Sequence, residues 1–159
     1  MGSVRLRYPE GMLTVVHKAF SYSFDVMQGA NTVALARNVS GWRDRAEIRI
    51  DADIYTARRD GNSYLFELGS RVAARADQPR KWLREFFIEH EGRRYTLRPK
   101  SRFLFRRHFL LLEGSTQVGS VAPDGAFTRK AGVELPPTLP VFLQVFITWL
   151  VMTMWKRDD

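Results

Sequence analysis

The sequence predicts a mostly β protein: a closed antiparallel barrel of about twelve short strands around a hydrophobic C-terminal helix. Two observations lead to this fold class. Strand-length segments with alternating apolar and polar residues fill most of the chain, and a single long apolar segment ends it. A closed sheet of about twelve strands has a lumen wider than its own side chains readily fill. An apolar helix threaded through the lumen would fill it.

The length favours one domain over residues 1–159, because 159 residues with 45% hydrophobic content are enough for one core and few for two. The predicted strands occupy residues 3–131, separated by turn signals such as Asp60-Gly61 and Glu91-Gly92. In chain order they include Leu13 to His17, Phe20 to Val26, Ala46 to Ile54, Trp82 to Glu89, Arg93 to Arg98, Arg102 to Arg106 leading into Phe109 to Glu113, Gln117 to Val121, and Ala126 to Lys130.

The alternation is clearest from Ala46 to Ile54, where every second residue is apolar. The other face consists of Glu47, Arg49, Asp51, Asp53 and Tyr55. This period of two predicts one buried face and one solvent-exposed face. Ala73 to Gln78 is interpreted as a helical turn or a loop.

The apolar segment from Leu139 to Trp155 predicts a helix over residues 138–156. Thr138 is its expected N-cap, and Pro140 falls in the first turn. A helix that is apolar on all sides needs burial on all sides. Gln144 and Thr148 lie four residues apart and therefore on one side of this helix. Because a buried polar group without a hydrogen bond is costly, we expect a partner for Gln144, such as His17 or a strand hydroxyl.

Two environments would bury this helix. The first is the lumen of its own barrel. The second is a bilayer, which would make the chain a tail-anchored membrane protein with a cytoplasmic β domain. Seventeen residues at about 1.5 Å each span about 25 Å, against a hydrocarbon core of about 30 Å. The short span and the polar Gln144 favour the barrel.

At this point the chain resembles the tubby C-terminal-like superfamily, which includes the LURP-one-related proteins and the phospholipid scramblases. The matching features are the succession of strands, the strand Gln117 to Val121, and the proline-led apolar segment from Leu135 to Trp155. The resemblance implies a twelve-stranded barrel around a C-terminal hydrophobic helix. The chain lacks the cysteine-rich segment of scramblases and a match to the phosphoinositide pocket of tubby. The nearest group is therefore the small LURP-one-related proteins.

The charge favours polyanionic partners. Twenty-five lysines and arginines oppose 17 acidic residues, giving a net charge of +8. The absence of cysteine excludes disulfides and thiolate metal sites, and Met1 to Glu10 shows no secretory signal. We expect a cytoplasmic protein, with the membrane surface as a candidate location.

The densest basic stretch is Arg80 to Arg107, with ten basic residues against three acidic ones. Strand parity places several of these side chains on one outer face, where they would attract lipid phosphates or nucleic acid. Tyr95, Phe103 and Phe105 alternate with them and so point to the core, which makes nucleic acid unlikely. An ordinary polar barrel surface is the alternative explanation. The candidate anion-binding residues are Arg94, Arg98, Lys100, Arg102, Arg106 and Arg107.

No motif indicates an enzyme: a nucleophile elbow, a phosphate-binding glycine loop, a dinucleotide fingerprint and a zinc motif are all absent. Asp51 and Asp53 could act as paired carboxylates or bind a cation, but their segment lacks the glycine and closing glutamate of a calcium loop. The histidines His17, His90 and His108 have no metal-like spacing. We expect a non-enzymatic binding or scaffold protein without cofactor or metal, whose partner is an anionic lipid headgroup or an acidic protein.

Overall fold

The computed structural model of the protein describes residues 12–17, 23–38, 44–101, 106–124 and 130–158. Within these ranges it has twelve strands, a short 3-10 helix at Lys81–Leu83 and one α-helix. The elements are β1 Leu13–His17, β2 Phe24–Gln28, β3 Asn31–Asn38, β4 Arg45–Ile50, β5 Asp53–Asp60, β6 Ser63–Leu68, β7 Arg71–Asp77, β8 Phe86–His90, β9 Arg93–Pro99, β10 Phe109–Glu113, β11 Thr116–Pro123, β12 Lys130–Glu134 and α1 Val141–Asp158.

The strands form a closed antiparallel barrel in simple up-and-down order. Each strand pairs with its neighbours in sequence, and β1 closes the sheet on β12 through pairs such as Val15 with Ala131. The predicted fold class is therefore confirmed. Closure leaves no sheet edge among these strands.

The core lies inside the barrel and is completed by α1. Along β4 exposed and buried residues alternate strictly, and the buried ones face the lumen. The helix packs its aromatic rings against those of β6. Phe146 stacks on Phe66 at 5.2 Å between ring centroids, and Trp149 packs edge-to-face with Tyr64 at 5.9 Å. Residues 143–155 of the helix are buried on every side, as its apolar composition requires.

The helix lies inside the sheet, as the first of the two alternatives requires. Among the residues described, no helix combines the length and the apolar character that crossing a bilayer demands.

The start of the helix differs from the prediction. Thr138 is exposed in a turn, and α1 begins at Val141. The carbonyl of Pro140 accepts the first helical hydrogen bonds, from the amides of Leu143 and Gln144, so Pro140 occupies the cap position. Gln144 finds the partner that was predicted for it, but in its own chain segment: its Nε2 donates to the carbonyl of Leu139 at 2.9 Å.

The predicted strand from Ala46 to Ile54 is correct up to Ile50 and wrong beyond it. β4 ends at Ile50, and Asp51 and Ala52 form a two-residue turn. Asp51 has a φ of 53°, a left-handed conformation that aspartate tolerates better than most residues. The turn shifts the alternation by one residue. Tyr55 is consequently buried, and Ile54 is 45% exposed.

Three further segments differ from expectation. Residues 73–77 belong to β7 and are neither a helical turn nor a loop. β8 begins at Phe86, because Lys81–Leu83 forms a 3-10 helix ahead of it. β12 extends to Glu134, beyond the predicted limit at 131. The remaining predicted strand segments fall in residues 3–11, 20–22, 102–105 and 126–129, outside the described residues.

Gly119 in β11 lets the chain pass from β12 toward the helix. A Cβ at this position would lie 2.7 Å from the carbonyl oxygen of Glu134 and 3.2 Å from the Cα of Leu135. Both neighbours are backbone atoms, so neither can turn aside without moving the chain that leads into α1.

Gly119→Ala should therefore destabilise the protein by about 1–3 kcal/mol, the usual cost of overpacking a rigid site. The matched control is Gly132→Ala, whose added carbon meets only the flexible end of Met12 at 2.9 Å. Urea unfolding of both variants measures the difference. Equal losses in the two variants would contradict this account of Gly119.

Candidate functional site

The two ends of the barrel differ in their connections. At the end where α1 begins, the turns at 29–30, 51–52, 69–70, 91–92 and 114–115 are each two residues long. We call this the short-turn end. At the opposite end, where α1 finishes, the connections include residues 78–85 and 100–108. We call this the long-loop end, and long connections are where binding residues concentrate.

The two ends also differ in charge. The turns of the short-turn end contain Asp51 and Glu91 and no lysine or arginine. Over the described residues, the connections of the long-loop end contain twice as many basic as acidic residues. The basic ones are Arg80, Lys81, Arg84, Lys100, Arg106 and Arg107, and the acidic ones are Asp44, Glu85 and Asp124. The barrel is thus polarised along its axis.

A cleft of about 340 Å³ opens beside the long-loop end. We call it the arginine cleft, because Arg84, Arg98 and Arg106 reach it from three separate segments. Arg98 is the penultimate residue of β9, Arg84 belongs to the 78–85 connection and Arg106 to the 100–108 connection. The complete lining is Trp82, Leu83, Arg84, Glu85, Arg98, Pro99, Ser101 and Arg106.

The 78–85 connection leaves the sheet at its weakest pairing. β7 and β8 pair through only two residue pairs, whereas β8 and β9 pair through five. Gln78 anchors the start of the connection to the core. Its side chain is fully buried, its backbone N–H donates to the carbonyl of Asn62 at 2.7 Å, and its side-chain Nε2 contacts the Met154 sulfur at 3.6 Å.

Arg84 ties the end of the same connection to the helix. Its guanidinium donates long hydrogen bonds to the carbonyls of Arg106 at 3.3 Å and Met154 at 3.5 Å, and lies 5.4 Å above the ring of Phe109. Met154 belongs to the carboxyl end of α1, the negative pole of the helix dipole, which a cation stabilises. Arg84 has a φ of 57°. A left-handed arginine costs about 1 kcal/mol or more, so these contacts must offset strain.

Arg107 covers the end of the helix from another side. Its guanidinium lies 4.8 Å from the ring centroid of Trp155, which is only 3% exposed. This cation–π contact shields the last aromatic residue of the core from water.

Trp82 projects from the same loop into solvent. Its side chain is 78% exposed, although tryptophan is normally among the most buried residues on average. A second cleft of about 320 Å³ lies behind it and shares Leu83 and Glu85 with the arginine cleft; Pro79, Arg80 and Phe87 complete its lining.

The structure brings together only part of the predicted anion-binding set. Arg98 and Arg106 line the arginine cleft, and Lys100 and Arg107 are exposed in the neighbouring connection. Arg94 shares the outer face of β9 with Arg98. The two residues are four positions apart along the strand, which corresponds to about 13 Å. Arg94 instead lies 5.1 Å over the ring of Phe87. Arg102 is outside the described residues.

Sequence reasoning missed Arg84 and Trp82 as site residues. Both lie in the predicted strand from Trp82 to Glu89, so neither was treated as a loop residue near a site. Pro79 two residues before the basic Lys81 was a signal that the chain leaves the sheet here.

The other candidates do not converge on one place. Asp51 and Asp53 are exposed at the short-turn end, where His90 meets the ring of Phe142 at 6.2 Å. His108 is half-buried at the long-loop end, and burial together with the charge of Lys100 lowers its pKa. The side chain of His17 is outside the described part of the structure. Over the part that is described, no three His, Asp or Glu side chains cluster in a way that could hold a metal ion.

Comparison with known proteins gives no assignment. No family model, no curated protein and no solved structure matches this chain. The resemblance to the tubby-like superfamily therefore stays a prediction.

Lys156, at the end of α1, is a cation that burial disfavours. The side chain is half-buried, and desolvation lowers its pKa to about 8, with the Asp44 carboxylate acting in the opposite direction. The unfolded chain therefore binds more protons than the folded protein between about pH 8 and pH 10.5. In that window the free energy of unfolding rises with pH, and below it the full penalty of burying the charge applies.

Lys156→Met should stabilise the protein near neutral pH. The lowered pKa corresponds to about 3 kcal/mol at most. Partial exposure and the lost interaction with the helix dipole reduce the expected gain to about 1–2 kcal/mol. The gain should shrink as the pH rises from 8 toward 10.5. Urea unfolding across this range measures it, with Lys100→Met as an exposed control; a gain that is constant with pH would contradict the explanation.

Proposed function

We propose that the protein is a non-enzymatic binding protein that takes the phosphate-bearing headgroup of an anionic lipid in the arginine cleft. The observation that carries the proposal is the convergence of Arg84, Arg98 and Arg106 from three segments on one concave site. Guanidinium groups bind phosphate through paired, charge-assisted hydrogen bonds, which makes arginine the side chain best suited to this ligand.

The composition of the cleft limits what it can hold. Three arginines oppose the single carboxylate of Glu85, so the lining keeps an excess of positive charge. Glu85 and the hydroxyl of Ser101 can accept hydrogen bonds from amine or hydroxyl groups beside a phosphate. A volume of about 340 Å³ is at the lower end of the range for small-ligand sites and suits a headgroup.

A headgroup fits this site better than an acidic protein does. A stable protein partner covers about 800 Å² on each side of an interface. The arginine cleft is concave and much smaller than that. Arg94 lies about 13 Å from Arg98 on the same strand and does not extend the cleft into a larger basic surface. An acidic protein is therefore the second candidate partner.

The same proposal places the protein at a cytoplasmic membrane surface and in the tubby-like superfamily. Support for the family comes from the order of elements, twelve antiparallel strands followed by one helix inside the barrel. Support for the location comes from the net charge of +8, since anionic leaflets attract basic surfaces.

Arg98→Gln should weaken binding to anionic vesicles about tenfold, because a charge-assisted contact worth ~1.4 kcal/mol is lost. Arg94→Gln is the matched control: it lies on the same strand and face, carries the same charge change and is outside the cleft. Its effect should stay within about twofold. Co-sedimentation with phosphatidylcholine vesicles, with and without phosphatidic acid, measures both.

Three outcomes would count against the proposal. Equal weakening by the two variants would mean diffuse attraction and no site. Equal partitioning into neutral and anionic vesicles would remove the anionic headgroup altogether. Binding of glycerol phosphate without any vesicle binding would make the ligand a soluble phosphate compound and not a lipid.

A further inference from the structure

Exposed apolar side chains occur at both ends of the barrel. Trp82 is 78% exposed at the long-loop end, while Ile54, Val72 and Val141 are 43–48% exposed toward the short-turn end. Apolar exposure alone therefore does not select an end for contact with a partner. The charge of the connections does. Over the described residues, those of the long-loop end contain six basic and three acidic residues, whereas the turns of the short-turn end contain only Asp51 and Glu91 as charged residues.

We propose that the barrel stands on the bilayer on its long-loop end and that Trp82 inserts at the membrane interface beside the arginine cleft. This inference rests on the proposed function, because the cleft that would take the headgroup opens at that same end. The proposed partner is a bilayer containing anionic lipid. It is favoured by charge complementarity with Arg80, Arg84, Arg98 and Arg106, since basic residues close to an anionic leaflet are attracted to it.

The chemistry of Trp82 fits this environment. An indole has a large apolar body and one polar N–H, and tryptophan is enriched where the hydrocarbon of a bilayer meets its headgroups. The residues around it extend the apolar contact: Pro79 is exposed, and Leu83 and Phe87 line the cleft behind it. Arg80 is exposed next to them and would reach phosphates at the same depth.

The loop that carries Trp82 is fixed at both ends. Gln78 on one side is buried and contacts Met154, and Arg84 on the other side donates to the carbonyl of Met154. Both ties end on the same helical residue. A side chain presented on a fixed loop loses little conformational freedom on insertion, which favours binding.

The absence of cysteine gives a direct test with single-cysteine variants. Pro79→Cys places a polarity-sensitive fluorophore beside an intact Trp82, and Val72→Cys places the same fluorophore at the short-turn end as a matched control. Both are mixed with phosphatidylcholine vesicles that contain phosphatidic acid. The label at 79 should shift to shorter wavelength and become shielded from an aqueous quencher, while the label at 72 should not change.

A further variant assigns the insertion to the indole. Trp82→Ala in the Pro79→Cys background should reduce the spectral shift and weaken vesicle binding several-fold, whereas Val72→Ala should leave binding unchanged. Trp82→Phe keeps an apolar ring and should retain most of the binding.

The outcomes separate this inference from the proposed function. Co-sedimentation with no response of the label at 79, or with equal responses at 79 and 72, overturns the orientation and leaves headgroup binding intact. Loss of binding in Arg98→Gln, together with a response at 79 and none at 72 when Arg98 is intact, supports both. No co-sedimentation with anionic vesicles overturns the proposed function itself.

Discussion

The structure depends on mutual burial of a closed sheet and an apolar helix. Twelve strands enclose a lumen that inward side chains cannot fill alone, and α1 is apolar on every side and cannot be exposed on any. Large rings complete the fit: Phe146 meets Phe66, and Trp149 meets Tyr64. Because α1 follows all twelve described strands, the core stays incomplete until this helix is in place. Gly119 and Pro140 serve the same burial. Gly119 leaves space for the backbone of Glu134 and Leu135 where the chain leaves the sheet, and the carbonyl of Pro140 accepts the first hydrogen bonds of the helix.

An internal helix also explains why the two ends of the barrel differ. Its carboxyl end carries partial negative charge and exposed carbonyls, which cations satisfy. Arg84 donates to Met154, Arg107 covers Trp155, and Lys156 lies half-buried beside them. Part of the positive charge at the long-loop end therefore serves the helix, and the remainder, with Arg98 and Arg106, lines the arginine cleft. Part of the basic character of this end is thus a structural requirement of the helix, and the proposed binding site would use the remainder.

The sequence was sufficient to predict the architecture because periodicity is a local signal that repeats. Alternation in the strands and an uninterrupted apolar segment at the end each hold over many residues, so single errors do not change the fold class. The errors arise where one residue decides. The turn at Asp51 rests on a left-handed backbone that aspartate permits and does not require, and it reversed the predicted faces of Ile54 and Tyr55. The site was predicted in part, since Arg98 and Arg106 lie in the predicted basic stretch. Arg84 was missed because its contact with Met154 joins residues 70 positions apart, which no local pattern records.

Under the proposed function, Arg84 would connect the stability of the barrel with the occupancy of its cleft. β7 and β8 pair through only two residue pairs, so the 78–85 connection is held largely by Gln78 and Arg84. The hydrogen bonds of Arg84 to the carbonyls of Arg106 and Met154 are long, at 3.3 and 3.5 Å, and a phosphate oxygen is a stronger acceptor than either carbonyl. A phosphate in the cleft would compete for the same guanidinium. The net affinity for phosphate would then be set by the difference between the new contact and the helix contact that is given up. Under the proposed function, ligand binding and folding would share a residue at the position where the described strands have the fewest residue pairs.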